Sequence, residues 1–194
     1  MTIQSIPSLT AASGQVLTTA DWRAAGVNIA ACDLAYLLVK PGIKHLEKLD
    51  NLKQYWSWPG ELVLDCSTLL PNRSGLFQVQ SMFDGRKLVF EKEQISNLIK
   101  QLKPDYLMSS DAFQINNQPA EDALKGQLYT SENTHFLIQD KSNTENFKTL
   151  DASCQCPACT SNLTRAYFHH LYAHTPLLCH RWLVMHNLWI FMNT

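Results

Sequence analysis

Excess charge of either sign is missing from this chain: 16 basic residues stand against 17 acidic ones, a formal net charge of −1. That excludes a broad basic face for nucleic acid, so any such contact has to rest on a local patch. A secretory leader is missing as well. Met1–Leu9 (MTIQSIPSL) has neither a basic start nor a long apolar run, so a cytoplasmic protein is expected. Long apolar runs are also wanting. The stretch from Leu177 is broken by His180, Arg181, His186 and Asn187, too polar and short for a membrane span. There is no internal repeat and no low-complexity tract. Cysteine is sparse through most of the chain: Cys32, Cys66 and Cys179 stand alone, which suits a reducing compartment. What remains is a 194-residue chain, 45% apolar, long enough for one domain with a small appendage and able to bury a core without disulfides.

The first two-thirds alternates between two periodicities. TTADWRAAG reads as a short helix with Thr18 or Thr19 as N-cap and Gly26 as its stop. VNIAAC (27–32) and ELVLDC (61–66) read as strands, the second ending in an acid. PGIKHLEKL places Pro41 at a helix start, with Ile43, Leu46 and Leu49 at helical spacing. LFQVQ and KLVF flank Asp84-Gly85, a hairpin turn signal. EKEQISNLIKQL (91–102) predicts a helix with Ile95, Leu98, Ile99 and Leu102 on one face, and DYLMSSD (105–111) a further strand ending in an acid. Strands alternating with helices, with acids at strand ends, predict an α/β fold with a parallel sheet whose carboxyl ends carry the chemistry. Residues 112–126 read as polar and irregular, and QLYTS with HFLIQ as a strand pair. The change of character after Leu150 places a domain boundary there, with one unit over 1–150 and a second over 151–194.

Metal-ligating residues crowd into the second unit. Cys154, Cys156 and Cys159 have the spacing C-x-C-x2-C, and five histidines follow at 169, 170, 174, 180 and 186. Three thiolates on a tight turn make half a cage for a soft or borderline cation, and one histidine would close a structural zinc site. Disulfides between such near neighbours would be strained. An iron–sulfur cluster would need a fourth cysteine such as Cys179. LTRAYFHHLYAH predicts a helix with Leu163, Tyr167, His170 and Leu171 on one side. Pro176 opens a second helix, with Met185, Leu188 and Trp189 inward.

The motif Cys154, Cys156, Cys159, then Arg165-Ala166-Tyr167-Phe168-His169-His170-Leu171, then His186-Asn187 resembles the zinc-binding end of the tRNA-guanine transglycosylases. These enzymes exchange a guanine in tRNA for queuine, its precursor base or an archaeal relative. The resemblance designates His186 as the fourth ligand of a structural Zn2+, a choice that spacing alone leaves open. Upstream, LLVKPGIKHLEKLDNLKQYWSWPGELVLD, SGLFQVQSMFDGRKLVFEKE and DYLMSSDAF are similar to successive family segments. The family fold is a TIM barrel carrying a zinc subdomain. The resemblance therefore implies an abbreviated TIM-barrel-like α/β unit with a C-terminal zinc-binding helical subdomain. It implies Asp65 as a general-base candidate, and Asp111 with the aromatic Phe77 as base-binding residues.

A large middle block of the family is absent between Asp111 and the late-barrel segment. The position of the family's aspartate nucleophile falls on Ile115, which cannot attack a ribose carbon. The family's Ala-Arg-Asn-Gly stands here as Ala123-Leu124-Lys125-Gly126, without its arginine, so tRNA binding is expected to be weak. DCSTLLPNR, beginning at Asp65, offers a displaced nucleophile motif, but its flanks match the earlier strand. The reading is a transglycosylase-like protein tied to queuosine formation, catalytically impaired. It would pair with itself or with a full-length transglycosylase as an accessory subunit. An active base-exchange enzyme with a rearranged site, and a zinc-stabilised interaction module unrelated to tRNA, stand as alternatives.

Overall fold

A computed structural model describes residues 4–108 and 113–193. In chain order the elements are β1 (Gln4–Ile6), α1 (Thr19–Ala24), β2 (Ile29–Asp33), α2 (Leu34–Leu37), α3 (Ile43–Leu46), α4 (Leu52–Trp56), β3 (Glu61–Asp65), β4 (Phe77–Gln80) and β5 (Lys87–Phe90). They continue with α5 (Lys92–Leu102), β6 (Tyr106–Leu107), β7 (Phe113–Ile115), α6 (Gln118–Leu124), β8 (Gln127–Tyr129), β9 (His135–Leu137), α7 (Pro157–Thr160), α8 (Arg165–His174) and α9 (Pro176–Asn193). The fold is mixed α/β with small sheets. Among the described residues no helix is long and apolar enough to cross a membrane.

The residues group into two compact units, 1–10 with 28–115, and 11–27 with 116–194. The boundary expected after Leu150 therefore falls inside the second unit. Its cause is α9, which packs on α6 and β8 and also reaches back to α1, so the tail does not form a body of its own.

In the first unit, β2, β3 and β6 form a parallel sheet, with Ala31 level with Val63 and Val63 with Tyr106. β1 pairs in parallel with β7. The chain beyond β1 meets β2 through Leu9 N–H to Ala31 O at 2.8 Å and Ala31 N–H to Pro7 O at 2.9 Å. The central strands read as continuous apolar runs because both faces are covered: Ala30, Ala31 and Cys32 are buried, as are Leu62, Val63 and Leu64. Ile6, Ile29, Ala31 and Val63 form an apolar cluster onto which Met108, Phe113 and Ile115 pack. β4 and β5 form the expected antiparallel hairpin. Helix α5 buries Ile95, Leu98 and Leu102, while Ile99 is half-buried.

In the second unit, α1 starts as its sequence predicts. Thr18 caps it, and Asp21 returns the bond to the Thr18 N–H at 2.8 Å, closing a capping box. Asp21 also receives Arg181 Nε at 2.9 Å and Nη2 at 2.8 Å, which ties α1 to α9. Burial alone would raise the Asp21 carboxyl, but the bonds from Arg181 and Thr18 outweigh it and hold it below the usual carboxylate range. The segment expected to be irregular instead supplies β7 and α6. Pro119 sits in the first turn of α6, where a missing N–H costs nothing, and Ala120 and Ala123 are small enough to bury. Gly126 then leaves the helix at φ +81°, a conformation that disfavours other residues, and its carbonyl receives the Ile138 N–H at 2.8 Å. β8 and β9 pair antiparallel as expected.

The two tail helices also form, and on α8 the residues expected to share one side are not all buried. Phe168 and Leu171 are buried, whereas Tyr167 and His170 are exposed. On α9, Met185 and Leu188 point inward as expected, and Trp189 is half-buried. Six consecutive residues, Leu183 to Leu188, are buried, so α9 is enclosed on all sides rather than amphipathic.

Candidate metal centre

The three cysteines lie on a loop that ends in the single turn of α7. Cys156 is the N-cap of that turn, Pro157 follows at its first position, and Cys159 is its third residue. This geometry aims backbone donors at sulfur: Cys156 N–H donates to Cys154 Sγ at 3.4 Å and Cys159 N–H to Cys156 Sγ at 3.4 Å. Both bonds favour thiolates. Arg165 anchors the strap leading into the loop, donating to the carbonyls of Thr149 at 3.1 Å and Leu150 at 2.7 Å. Its guanidinium lies 4.0 Å from the centre of the Phe136 ring.

α9 supplies the fourth group. His186 Nδ1 lies 3.6, 3.4 and 3.5 Å from the sulfurs of Cys154, Cys156 and Cys159. All four ligand atoms fall within 4.8 Å of one another, and all four residues are buried. A tetrahedral ion with metal–sulfur bonds of about 2.3 Å and a metal–nitrogen bond of about 2.0–2.1 Å would set each sulfur about 3.6 Å from the nitrogen. The residues present fit such an ion. The orientation of the ring is also fixed, because Nε2 lies 2.8 Å from the Tyr129 carbonyl oxygen. With Nε2 donating there, Nδ1 is left with its lone pair facing the sulfurs.

Electrostatics point the same way. Side-chain hydrogen bonds from Cys156 and Cys159 draw the Cys154 thiol far below its ordinary value. While the sulfurs share a proton and no cation, the bonds to Cys154 and Cys159 keep that proton on Cys156. Burial works against a charged His186, yet its bonds to Cys154 and Cys159 outweigh it and push the imidazole up to about 10. Three sulfurs around one nitrogen thus attract positive charge, and a divalent cation would meet that demand in place of the proton.

Asn187, next to His186, carries no chemistry but holds the site. Its buried amide accepts the Tyr129 N–H at 3.1 Å and donates to the carbonyls of Pro119 at 2.7 Å and Gln127 at 3.0 Å. The motif flagged Asn187 and Arg165 without revealing these roles. A buried amide satisfying one helix carbonyl and one strand carbonyl leaves no spacing signature. The remaining histidines, at 169, 170, 174 and 180, contribute nothing to the group of four. Cys179, the fourth ligand an iron–sulfur cluster would need, is outside it too, donating to the Phe168 carbonyl at 3.5 Å. Burial pushes its thiol up to about 12.

The acids expected to act in chemistry belong to the first unit. Asp65 is buried at the end of β3, where its carboxylate accepts the Ser67 N–H at 2.8 Å. Parallel register sets it beside Asp33 at the end of β2. Sequence reading passed over Asp33, which caps α2 by accepting the N–H groups of Ala35 at 2.7 Å and Tyr36 at 3.3 Å. The Cys66 thiol is raised to about 11 by burial and by the charges of Asp65 and Asp33. Phe77 is half-buried on β4. Asp111 lies outside the described residues. Ile115 packs on the apolar cluster. In 123–126, Ala123 is buried, and Lys125 pairs with Asp122 at 3.4 Å.

Residues 117–194 match the family described as queuine tRNA-ribosyltransferase. A queuine tRNA-ribosyltransferase of Clostridium perfringens is 37% identical over 73 residues, which cover 38% of this chain and 19% of that protein. One of Rickettsia typhi is 31% identical over 124 residues, 57% of this chain and 34% of that protein. The chain thus spans about a third or less of the length of these curated relatives.

Proposed function

We propose that the chain, whose residues 117–194 match the queuine tRNA-ribosyltransferase family, is a reduced transglycosylase-like protein linked to queuosine formation in tRNA. It is catalytically impaired and acts as an accessory chain, alone as a homodimer or paired with a full-length enzyme. The observation that carries this reading is the buried group of Cys154, Cys156, Cys159 and His186, set by Arg165 and Asn187 within the matched stretch. These residues would hold Zn2+ as a structural ion. All four coordination positions come from protein, so the ion would organise the second unit and would leave no open position for substrate. In small zinc domains such binding contributes about 10–16 kcal/mol to folding.

Glycosyl exchange needs a nucleophile at the anomeric carbon and a proton donor for the departing base. Ile115, at the nucleophile's place, lies in an apolar cluster, which supports impairment. The five parallel strands of the first unit would be the remnant of a barrel. Asp65, Asp111 and Phe77 would be what remains of the base site, and tRNA would bind weakly. The retained Asp65, with Asp33 beside it, favours a second reading, an active enzyme with a rearranged site.

The test is incorporation of labelled guanine into tRNA by the purified, zinc-loaded chain, alone and with a full-length transglycosylase, alongside Asp65→Ala and Asp111→Ala variants. The proposal expects no exchange by the chain alone and co-purification with the full-length enzyme. Exchange by the chain alone that Asp65→Ala abolishes would establish the active-enzyme reading instead. Neither exchange nor co-purification would leave an interaction module without a link to tRNA.

A further inference from the structure

Two histidines that the thiolate cage leaves unused meet on the surface of α8. His170 and His174 stand four residues apart, the spacing that stacks side chains on one helix face. Both are exposed, and their ring centres are 4.5 Å apart with the planes tilted by 40°. Among the described residues neither ring is hydrogen-bonded to the protein. Two imidazoles held side by side, with lone pairs open to water, form a bidentate chelate for a borderline divalent ion. His174 is the last residue of α8, where unpaired carbonyls give the helix end a partial negative charge that favours a cation. Arg165, the one basic side chain of α8 besides its histidines, sits at the opposite end of the helix.

We propose that His170 and His174 form a second metal site on this protein, exposed and exchangeable, for a divalent transition-metal ion such as Ni2+, Cu2+ or Zn2+. Two imidazoles supply two ligands, and water fills the other positions. The site therefore differs from the buried cage in each property that sets exchange: it has no thiolate, it is open to solvent, and it binds imidazole-preferring ions in the order Ni2+ below Cu2+. Linking the two ligands on one helix makes binding of the second imidazole intramolecular, so removing either costs about a hundredfold in affinity. The inference uses only α8 and is independent of the family reading.

The test uses the full chain with its cage filled by zinc, titrated with Ni2+, which does not oxidise thiolates as Cu2+ can. Calorimetry counts the sites, NMR locates the paramagnetic broadening, and metal analysis after each addition follows the zinc. The expected result is one Ni2+ bound per chain without zinc release. Broadening should centre on the imidazole protons of His170 and His174, and affinity should fall about a hundredfold in either His170→Ala or His174→Ala. His135→Ala should bind as the unsubstituted chain does. Nickel uptake matched by zinc release, binding unchanged in both helix variants, or no Ni2+ bound would each overturn the proposal.

Discussion

The imidazole of His186 is held at both nitrogens: Nε2 lies 2.8 Å from the Tyr129 carbonyl oxygen, and Nδ1 faces the three sulfurs at 3.4 to 3.6 Å. One side chain therefore joins the strand β8, the helix α9 and the cysteine loop. The carbonyl bond also selects which nitrogen is free to bind an ion, before any ion arrives.

Asn187 extends that joint. Replacing it with leucine would leave the Tyr129 N–H and the Pro119 and Gln127 carbonyls buried without their partner. Unmade buried bonds of this kind cost about 1–3 kcal/mol each, so a loss on the order of 3 kcal/mol is expected after partial relaxation. Urea unfolding of the zinc-loaded protein measures it. A change within about 0.5 kcal/mol, the usual range for a surface substitution, would show that the network does not hold the unit.

Arg165 should tolerate no lysine. Its two carbonyl bonds and its stacking on Phe136 need a planar fork, which an ammonium lacks. Arg165→Lys is expected to lower stability by about 1–3 kcal/mol while leaving the metal content unchanged, since no ligand is touched. Metal analysis and urea unfolding together check both halves. Loss of the ion in this variant would mean that the strap, and not the ligand set, determines binding.

The ion pair between Arg181 and Asp21 joins α9 to α1. Asp21 is buried while Arg181 is partly exposed, so the cost of Arg181→Leu lies between that of a surface pair and a buried one, about 2 kcal/mol. Thermal unfolding reads the loss. Asp21→Ala should cost more, because it also opens the capping box.

Asp151 gives a pH dependence of known sign. Burial would raise its carboxyl, but hydrogen bonds from Ser131 and Ser153 outweigh it and bring it down to about 2. A carboxyl depressed in the folded state stabilises above its unfolded value and loses that contribution as pH falls through the folded one. The stability difference between the unsubstituted chain and Asp151→Asn should therefore be constant above about pH 5 and shrink between about pH 4 and 2. Urea midpoints of both proteins across that range test it. A difference that grows on acidification would contradict the assignment.

Elements with local signals were legible in both units. The Asp84-Gly85 turn and the apolar runs of β2 and β3 in the first unit, and the cap at Thr18 in the second, each depend on residues close in sequence. The failures share a different cause. α6 was hidden because its stability comes from burial against α9 and from Asp122, which bonds to Gln118 and Tyr129, while its own composition reads as polar. Which side of α8 is buried was not legible, because Tyr167 and Phe168 are both aromatic and only tertiary packing chose Phe168. The two compact units are divided differently from the boundary expected after Leu150 because α9 packs on α6 and β8, contacts that leave no trace in local composition. The cysteines of the site were plain from their spacing. The choice of His186 among five histidines came from the family motif, and the structure brings that imidazole, and none of the other four, to the sulfurs.

The central claim is that an ion bound by Cys154, Cys156, Cys159 and His186 organises the second unit. Metal analysis of the purified chain, followed by circular dichroism before and after chelation, tests it most directly. The account predicts one zinc per chain, lost in Cys156→Ser, and collapse of the helical signal from α8 and α9 once the ion is withdrawn. A chain that carries no stoichiometric zinc, or that keeps its full helical signal after chelation, would contradict it.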